Sequence, residues 1–277
     1  MADPLPLVDC RGLLCVDVAI DGQKPKRLLI DTGNVNSFVL TETADALGWK
    51  TEAIEKKGKT VSGIRRGGEH RVGLGDQSLT GKFLVFDRNM LGDNPPPIDG
   101  SLAYPFFKDR IVTIDYVHRT LQISDSADDA SKAPLPGKLE TITFGKQGPP
   151  ILVGSPFLVN GKSVHAQIDT CFTGTLLVYD AALSQLGFVK SGHPSFFPDT
   201  DGGVTMLASR AKHLSFSGSD LGGKTPTIYF VGDGKNPVHQ PDGLFEATVG
   251  NALFAHSALT FDFRTMTFDV KPANAKH

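Results

Sequence analysis

The sequence contains one short pattern twice, and this repeat limits the possible folds more than any other feature. RLLIDTGNVNSFVL at residues 27–40 and HAQIDTCFTGTLLV at residues 165–178 both pass from apolar residues through an Asp-Thr pair and back to apolar residues. Such apolar runs around a tight turn predict a strand, a turn and a second strand. Each turn carries a carboxylate at the end of a buried strand, Asp31 or Asp169, which is costly unless it is hydrogen-bonded or used in chemistry.

The repeat extends well beyond these acid turns. In both copies a hairpin signal precedes the acid turn and a Leu-Gly pair ends a short helix after it: Asp21-Gly22 and Leu47-Gly48 in the first, Asn160-Gly161 and Leu186-Gly187 in the second. The first helix is predicted to begin at Thr41. The two acids are 138 positions apart, and the apolar strands that close each copy are 147 apart. This near-constant spacing predicts one fold, duplicated with changes in its loops.

The chain is therefore predicted to be all-β and to consist of two similar lobes. Its 30 glycines and 18 prolines, with few long helical patterns, are typical of many short strands. Residues 1–124 are expected to form the N-terminal lobe and residues 139–277 the C-terminal lobe. The polar, proline-bearing residues 125–138 are expected to link them. Within the first lobe, residues 65–68 (Arg-Arg-Gly-Gly) are expected in a solvated loop.

Composition excludes several classes of partner. The chain has 277 residues, 40% of them hydrophobic, which is enough for substantial cores. A net charge of -2 gives no electrostatic footprint for nucleic acid or an anionic membrane. No apolar run approaches the roughly 20 residues needed to span a bilayer. The first ten residues lack the pattern of a signal peptide, so either the protein is cytoplasmic or, if a leader has been removed, it is periplasmic or secreted.

The cysteines and histidines give no indication of a metal site. The eight histidines are scattered, and no cysteine–histidine group has zinc-binding spacing, so neither a metal nor a cofactor is expected. Three cysteines are an odd number, so at least one is free or pairs between chains. Cys10 and Cys15 either close a small disulfide loop or are two buried thiols on neighbouring strands.

The paired turns predict a specific chemistry. Two lobes related by a pseudo-twofold axis would bring Asp31 and Asp169 together, where both carboxyls cannot comfortably be charged and one proton is shared. Such a pair can take a proton from a bound water while it polarises a carbonyl, which hydrolyses a peptide bond. Thr32 and Thr170 can bond across the interface to hold the turns. Gly33 lets the backbone turn an amide toward the carboxylate.

At these residues the chain resembles the pepsin-like and retropepsin-like aspartic proteases, and most closely the bacterial aspartyl proteases with two retropepsin-like lobes in one chain. The shared features are the two acid turns, the Leu-Gly helix ends and two later segments, DGSLAYPFF at 99–107 and EATVGNALF at 246–254. The resemblance implies a bilobal acid-protease fold, a peptide or unfolded protein as substrate in the cleft between the lobes, and a hairpin flap, expected within residues 60–86. It also implies a monomer, because both lobes are in one chain.

The chain departs from this family at several positions. The second triplet ends in Cys171 where the family has glycine, Asn34 and Phe172 stand where a small residue is usual, and Ala103 replaces the glycine that the second copy keeps at Gly250. The thiol at Cys171 either displaces the attacking water, or tilts Asp169, or is small enough to leave a working pair. A reactive thiol is disfavoured, because two neighbouring carboxylates raise its pKa.

Two functions are therefore predicted. The first is an aspartic endopeptidase in which Asp31 and Asp169 are catalytic and four neighbours support them: Thr32, Gly33, Thr170 and Cys171. The alternative is a catalytically impaired binding or inhibitory protein that keeps the protease-like cleft.

Overall fold

The computed structural model describes residues 3–92, 94–124, 134–143, 150–197, 204–221, 223, 225–232, 241 and 243–273. Across these residues the chain is predominantly β, and its strands form a large mixed sheet with a few short helical turns. The predicted all-β class is thereby confirmed. No helix in this described part of the chain has the length and apolar character needed to cross a bilayer.

The first half consists of ten strands and one short helix. The elements are β1 Leu5–Asp9, β2 Leu14–Ile20, β3 Lys26–Asp31, β4 Ser37–Leu40, α1 Thr41–Ala46, β5 Glu52–Lys56, β6 Lys59–Leu74, β7 Gln77–Phe86, β8 Gly100–Ala103, β9 Ile111–Asp115 and β10 Thr120–Ser124, with 3-10 turns at Arg88–Leu91 and Tyr104–Phe107. Helix α1 begins at Thr41, as predicted. Its end lies before Gly48, whose φ of 71° is a left-handed conformation that glycine adopts at low cost.

The second half continues the series with twelve strands in the described residues. The elements are β11 Gly137–Thr143, β12 Pro150–Val159, β13 Lys162–Asp169, β14 Leu176–Val178, α2 Leu183–Leu186, β15 His193–Phe197, β16 Val204–Arg210, β17 Leu214–Phe216, β18 Ser219–Asp220, β19 Thr227–Val231, β20 Ala247–Gly250, β21 Ser257–Asp262 and β22 Thr267–Pro272, with 3-10 turns at Asp180–Ala182 and Asn251–Phe254. β11 begins inside the expected linker 125–138, of which residues 125–133 lie outside the described residues.

The strand pairings around the two acid turns are the same in both halves. β3 pairs in parallel with β8, which sets Asp31 opposite Ala103, and β13 pairs in parallel with β20, which sets Asp169 opposite Gly250. β4 lies between parallel β7 and antiparallel β8, and β14 lies between parallel β19 and antiparallel β20. Each acid therefore ends a strand that has neighbours on both sides.

A set of strands from both halves joins them. β9 of the first half pairs antiparallel with β21 of the second, and there the Thr113 and Thr260 hydroxyls are 2.9 Å apart. β10 and β1 extend this sheet on one side, and β22 and β11 extend it on the other. One apolar cluster includes buried residues of both halves, such as Val112 and Leu259. This shared sheet and core fix the position of one acid turn relative to the other.

The prediction of a solvated loop at residues 65–68 was wrong, because these residues lie inside β6. The Arg65 guanidinium donates to Thr41 Oγ1 at 2.7 Å and contacts Asp87 at 3.5 Å, so its charge is paired at the sheet. A register shift between Arg66 and Gly68 accommodates Gly67, where a Cβ would lie 3.0 Å from the Trp49 ring. The two arginines and two glycines therefore form a bulged strand.

Two hairpins occupy the region where a flap was expected. β5 and β6 are joined at Lys57 and Gly58, both with positive φ, and β6 and β7 are joined at residues 75–76. The second turn falls within residues 60–86, whereas the first lies just before that range. The Asp21-Gly22 turn, also with positive φ at both residues, joins β2 to β3 as predicted.

Candidate active site

Both acid turns hold their carboxylates with backbone amides. Asp31 is the last residue of β3, and its Oδ1 accepts a hydrogen bond from the Gly33 amide at 3.0 Å. Asp169 is the last residue of β13, and its Oδ1 accepts from the amides of Cys171 at 2.8 Å and Phe172 at 3.1 Å. These charge-assisted bonds fix the orientation of each carboxylate within its own turn.

Two buried threonines connect one turn to the other. The Thr32 amide donates to Thr170 Oγ1 at 3.0 Å, and the Thr170 amide donates to Thr32 Oγ1 at 3.2 Å. Each hydroxyl then donates to a backbone carbonyl of the opposite turn, Thr32 to Ile168 at 2.8 Å and Thr170 to Ile30 at 2.6 Å. The predicted contact between Thr32 and Thr170 is present, and it satisfies backbone groups that are cut off from water.

These threonines bring the two carboxyls into one cluster. A carboxylate oxygen of Asp31, one of Asp169 and Sγ of Cys171 all lie within 4.8 Å of one another. Burial, and then the charge of Asp169, raise the pKa of Asp31 to about 7. Two carboxyls this close resist double ionisation, so the pair retains a proton over the acidic range.

The third position distinguishes the two turns. A Cβ at Gly33 would lie 2.3 Å from Cγ of Asp169, a distance that real Cβ atoms do not reach, so only glycine fits there. The second turn has Cys171 instead, whose thiol donates to the Ile30 carbonyl oxygen at 3.8 Å and lies within 4.8 Å of an Asp31 carboxylate oxygen. Asp169 therefore packs against bare backbone, whereas Asp31 packs against a thiol.

The Cys171 thiol is protonated at neutral pH. Burial, together with the charges of Asp31 and Asp169, raises its pKa well above the ordinary value. This is the direction expected from the sequence, and it disfavours thiolate reactivity. The chain's other two cysteines, Cys10 and Cys15, form a disulfide, which resolves the alternative that the sequence left open. Cys171 packs against the apolar cluster that contains them.

Phe172, one of the departures from the family pattern, packs against Gly250. A Cβ at Gly250 would lie 2.5 Å from the Phe172 ring and 2.5 Å from the backbone carbonyl oxygens of Phe172 and Gly174, so position 250 accommodates only glycine. In the first half the residue opposite the acid is Ala103, and the turn carries Asn34 rather than phenylalanine. Asn34 Oδ1 accepts from the next two backbone amides, which folds its side chain onto its own turn.

Cavities flank both turns. One of about 540 Å³ lies beside the first turn and is lined by side chains of several elements, among them Val35, Glu52, Arg66, Phe83 and Phe106. Another of about 330 Å³ lies beside the second turn and is lined by Asp169, Cys171, Phe172, Arg11 and Asn94, among others. Both open next to the residues that follow an acid turn.

Sequence reasoning missed some groups around the acids. Ser101 Oγ lies 3.5 Å from Asp31 Oδ2, and Gln167 Nε2 donates to the Gly33 carbonyl at 3.2 Å. Ser101 reaches Asp31 because β8 pairs with β3, a contact across 70 residues that has no local signature. Only its position in the 99–107 segment, aligned with 246–254, indicated that it lies near an acid turn.

A scan of protein-family models finds no match to this chain, and a search among curated proteins also finds none. The likeness to aspartic proteases therefore depends on the residues and contacts described above.

Proposed function

We propose that the protein is an aspartic endopeptidase with a bilobal acid-protease fold. The observation that carries the proposal is the carboxyl pair: Asp31, which is buried, and Asp169, which is partly buried, come from turns 138 residues apart and lie within 4.8 Å of each other, held by crossed threonine hydrogen bonds. Burying two carboxyls against one another is unfavourable. A fold that keeps such a pair in a cleft is typical of a catalytic site.

The proposed reaction uses the pair as base and acid. The ionised carboxylate takes a proton from a bound water as the water attacks the peptide carbonyl carbon. Asp31, protonated below about pH 7, donates a hydrogen bond and then its proton to the carbonyl oxygen. The tetrahedral intermediate collapses when Asp169 passes the proton that it took from water to the amide nitrogen. The C–N bond then breaks, and a hydroxyl of the intermediate returns its proton to Asp31. General acid–base catalysis of this kind contributes about 10²- to 10⁴-fold.

The proposed architecture assigns one acid to each lobe. It is supported by the pairings that recur in both halves, β3 with β8 and β13 with β20, and by the short helix that follows each turn. In this arrangement the substrate is a peptide or an unfolded protein segment that lies across both turns. The cavities of about 540 and 330 Å³ offer room for side chains on either side of the scissile bond.

Cleavage of an unfolded protein and of a peptide library, followed by mass spectrometry from acidic to neutral pH, tests the proposal. We expect cleavage that declines as pH rises through about 7, because Asp31 then loses its proton. Asp31→Asn and Asp169→Asn should each lower the rate by about 10³-fold. Asp45→Asn, at an exposed position of α1, is the matched control. No cleavage by the wild type, or an unchanged rate in Asp31→Asn, contradicts the proposal.

One observation favours the alternative, a binding or inhibitory protein. The Cys171 thiol lies in the carboxyl cluster, and an attacking water would have to share that space. Cys171→Gly separates the two functions, since it restores the residue present in the first turn. If only this variant cleaves peptides, the natural chain is catalytically impaired, as the alternative requires.

A further inference from the structure

We propose that Asp31, Asp169 and Cys171 together bind a divalent cation of the zinc type. The binding itself follows from the cluster alone, whereas its consequence, inhibition of peptide hydrolysis, rests on the proposed function. No sequence pattern indicates such a site, because the thiol and the first acid are far apart in the chain and no zinc-like spacing is present.

The cluster has nearly the dimensions of a zinc site. Its two carboxylate oxygens and Sγ lie within 4.8 Å of one another. Zinc bonds of about 2.3 Å to sulfur and 2.1 Å to oxygen place tetrahedral ligands about 3.5 Å apart, so small side-chain rotations would close the set. The backbone amides of Gly33 and Cys171 hold Oδ1 of Asp31 and of Asp169, so each carboxylate is already oriented before a cation binds.

The donor set selects the kind of cation. Mg²⁺ and Ca²⁺ prefer oxygen ligands throughout, whereas Zn²⁺ accepts a mixture of thiolate and carboxylate. Three protein ligands leave a fourth position for water, the usual composition of an open zinc site. The cavity of about 330 Å³ reaches both Asp169 and Cys171 and supplies the entry path and the room for that water.

A nearby tyrosine is a second indication of a missing ligand. The Tyr116 side chain is buried, with 9% of its surface exposed, and its hydroxyl has no hydrogen-bond partner among the described residues. Burial raises the pKa of this phenol most, and the charges of Cys171 and Asp169 raise it further. A buried hydroxyl without a partner is unfavourable. A water or thiolate on a bound cation would give it an acceptor.

The position of the bound cation, between the two carboxylates, determines its effect on the proposed reaction. A cation held by both carboxylates would occupy the place of the attacking water and remove the shared proton. The resulting chain would be a protease that is switched off by zinc and switched on by its removal. In the first turn Gly33 offers no donor, so this property would depend on the cysteine at the corresponding place of the second.

A titration of the tag-free protein with Co²⁺ tests the site. Co²⁺ reproduces zinc geometry and gives a near-ultraviolet charge-transfer band when a thiolate binds it. The chain has three cysteines, and Cys10 and Cys15 form a disulfide, so the band can only report Cys171. We expect one Co²⁺ per chain, displaced by Zn²⁺, and no band in Cys171→Ser.

The acid variants test the carboxylates as ligands. Asp31→Asn and Asp169→Asn should each weaken Co²⁺ binding by more than the roughly 10- to 100-fold that loss of an outer-shell partner costs. Asp45→Asn should bind like the wild type. No charge-transfer band in the wild type, or an unchanged affinity in both acid variants, overturns the inference. If an acid variant fails to fold, alkylation of Cys171 in the wild type replaces it: Zn²⁺ should slow alkylation at least about tenfold, and an unchanged rate overturns the inference.

The two proposals fail separately in this design. A cobalt band without any peptide cleavage contradicts the protease and leaves the cation site standing. Peptide cleavage without a cobalt band contradicts the cation site and leaves the protease proposal standing. If both are present, Zn²⁺ should inhibit the wild type and should require at least about a tenfold higher concentration to inhibit Cys171→Gly. Equal inhibition of the two would overturn the role of the thiol.

Discussion

The turn at Asp31-Thr32-Gly33 and the turn at Asp169-Thr170-Cys171 make the same backbone contacts with different side chains. In both, the third residue donates its amide to the acid, at 3.0 Å from Gly33 and at 2.8 Å from Cys171. In both, the threonine donates to a carbonyl of the other turn. The comparison shows that the hydrogen-bonding role of the third position does not require glycine.

The two turns differ in the side chain of the third residue, since Gly33 has none and Cys171 carries a thiol. The Asp169 carboxyl occupies the space where a Gly33 side chain would be, whereas the Cys171 thiol lies against the Asp31 carboxyl. The surroundings of Asp31 and Asp169 are therefore asymmetric, although the backbones of the two acid turns make equivalent hydrogen bonds. Each of the following experiments tests either this asymmetry or the equivalence of the backbone contacts in the two turns.

The largest effect is expected from the pH dependence of Asp31. Its pKa of about 7 in the folded protein lies above that of an unfolded aspartate, so the folded state keeps a proton that the unfolded chain releases. The contribution of Asp31 to stability is full below about pH 4 and is lost as pH rises to about 7, by up to about 4 kcal/mol. Urea unfolding of wild type and Asp31→Asn at both pH values should show this loss only in the wild type.

The same urea experiment includes Asp45→Asn as control, and this variant should follow the wild type. Parallel pH dependences for wild type and Asp31→Asn would mean that Asp31 is not the carboxyl that carries the proton. The shared proton would then have to be assigned to Asp169.

A swap at the third position is the next largest test. Gly33→Cys makes the two turns alike, and its Cβ would collide with Asp169, whose Cγ lies 2.3 Å from that position. We expect a loss of about 100-fold in kcat, because a shift of about 1 Å in a catalytic group has that effect. The free energy of unfolding should fall by about 1–3 kcal/mol. Chemical denaturation and peptide cleavage measure both.

The reciprocal change, Cys171→Gly, is the matched control and should destabilise the protein by less, since it removes atoms from a partly exposed site. If Gly33→Cys is as stable as the wild type, the carboxyls have more freedom than the contact distances indicate.

The threonines test the likeness of the turns. Thr32→Val and Thr170→Val each remove two cross-turn hydrogen bonds and leave buried backbone groups unpaired, and each should lower the free energy of unfolding by about 2 kcal/mol. The double variant should lose less than the sum, because the two side chains share one network. If the free energies of unfolding of the two single variants differ by more than about 1 kcal/mol, the two threonines do not play equivalent roles.

The smallest effect is expected at Ser101. Its hydroxyl lies 3.5 Å from Asp31, at the limit of a hydrogen bond, so Ser101→Ala should change the free energy of unfolding by less than about 0.5 kcal/mol. Its counterpart Thr248 bonds the Tyr179 hydroxyl at 2.9 Å, and Thr248→Val should be less stable by about 1 kcal/mol. Equal losses at the two positions would show that Ser101 holds Asp31 more firmly than its distance implies.

The sequence predicted those parts of the fold that carry local signals or occur twice. Helix α1 began where Thr41 indicated, and the cross-turn contact of Thr32 with Thr170 followed from the repeat. Residues 65–68 were assigned wrongly, because two arginines and two glycines look solvated until the charge partner Asp87, distant in the chain, is known. The Cys10–Cys15 disulfide depended on a Cα–Cα distance of 6.1 Å, which no spacing rule provides.

The crossed threonines have a consequence for the timing of synthesis. The bonds that seat Asp31 reach a residue 138 positions further along the chain, so a ribosome that has made only the first half has produced one acid and no partner for it. During translation, the nascent chain therefore lacks the two-acid chemistry proposed for the finished molecule. Truncated products would be inert for the same reason, which would spare the cell from stray digestion by incomplete copies.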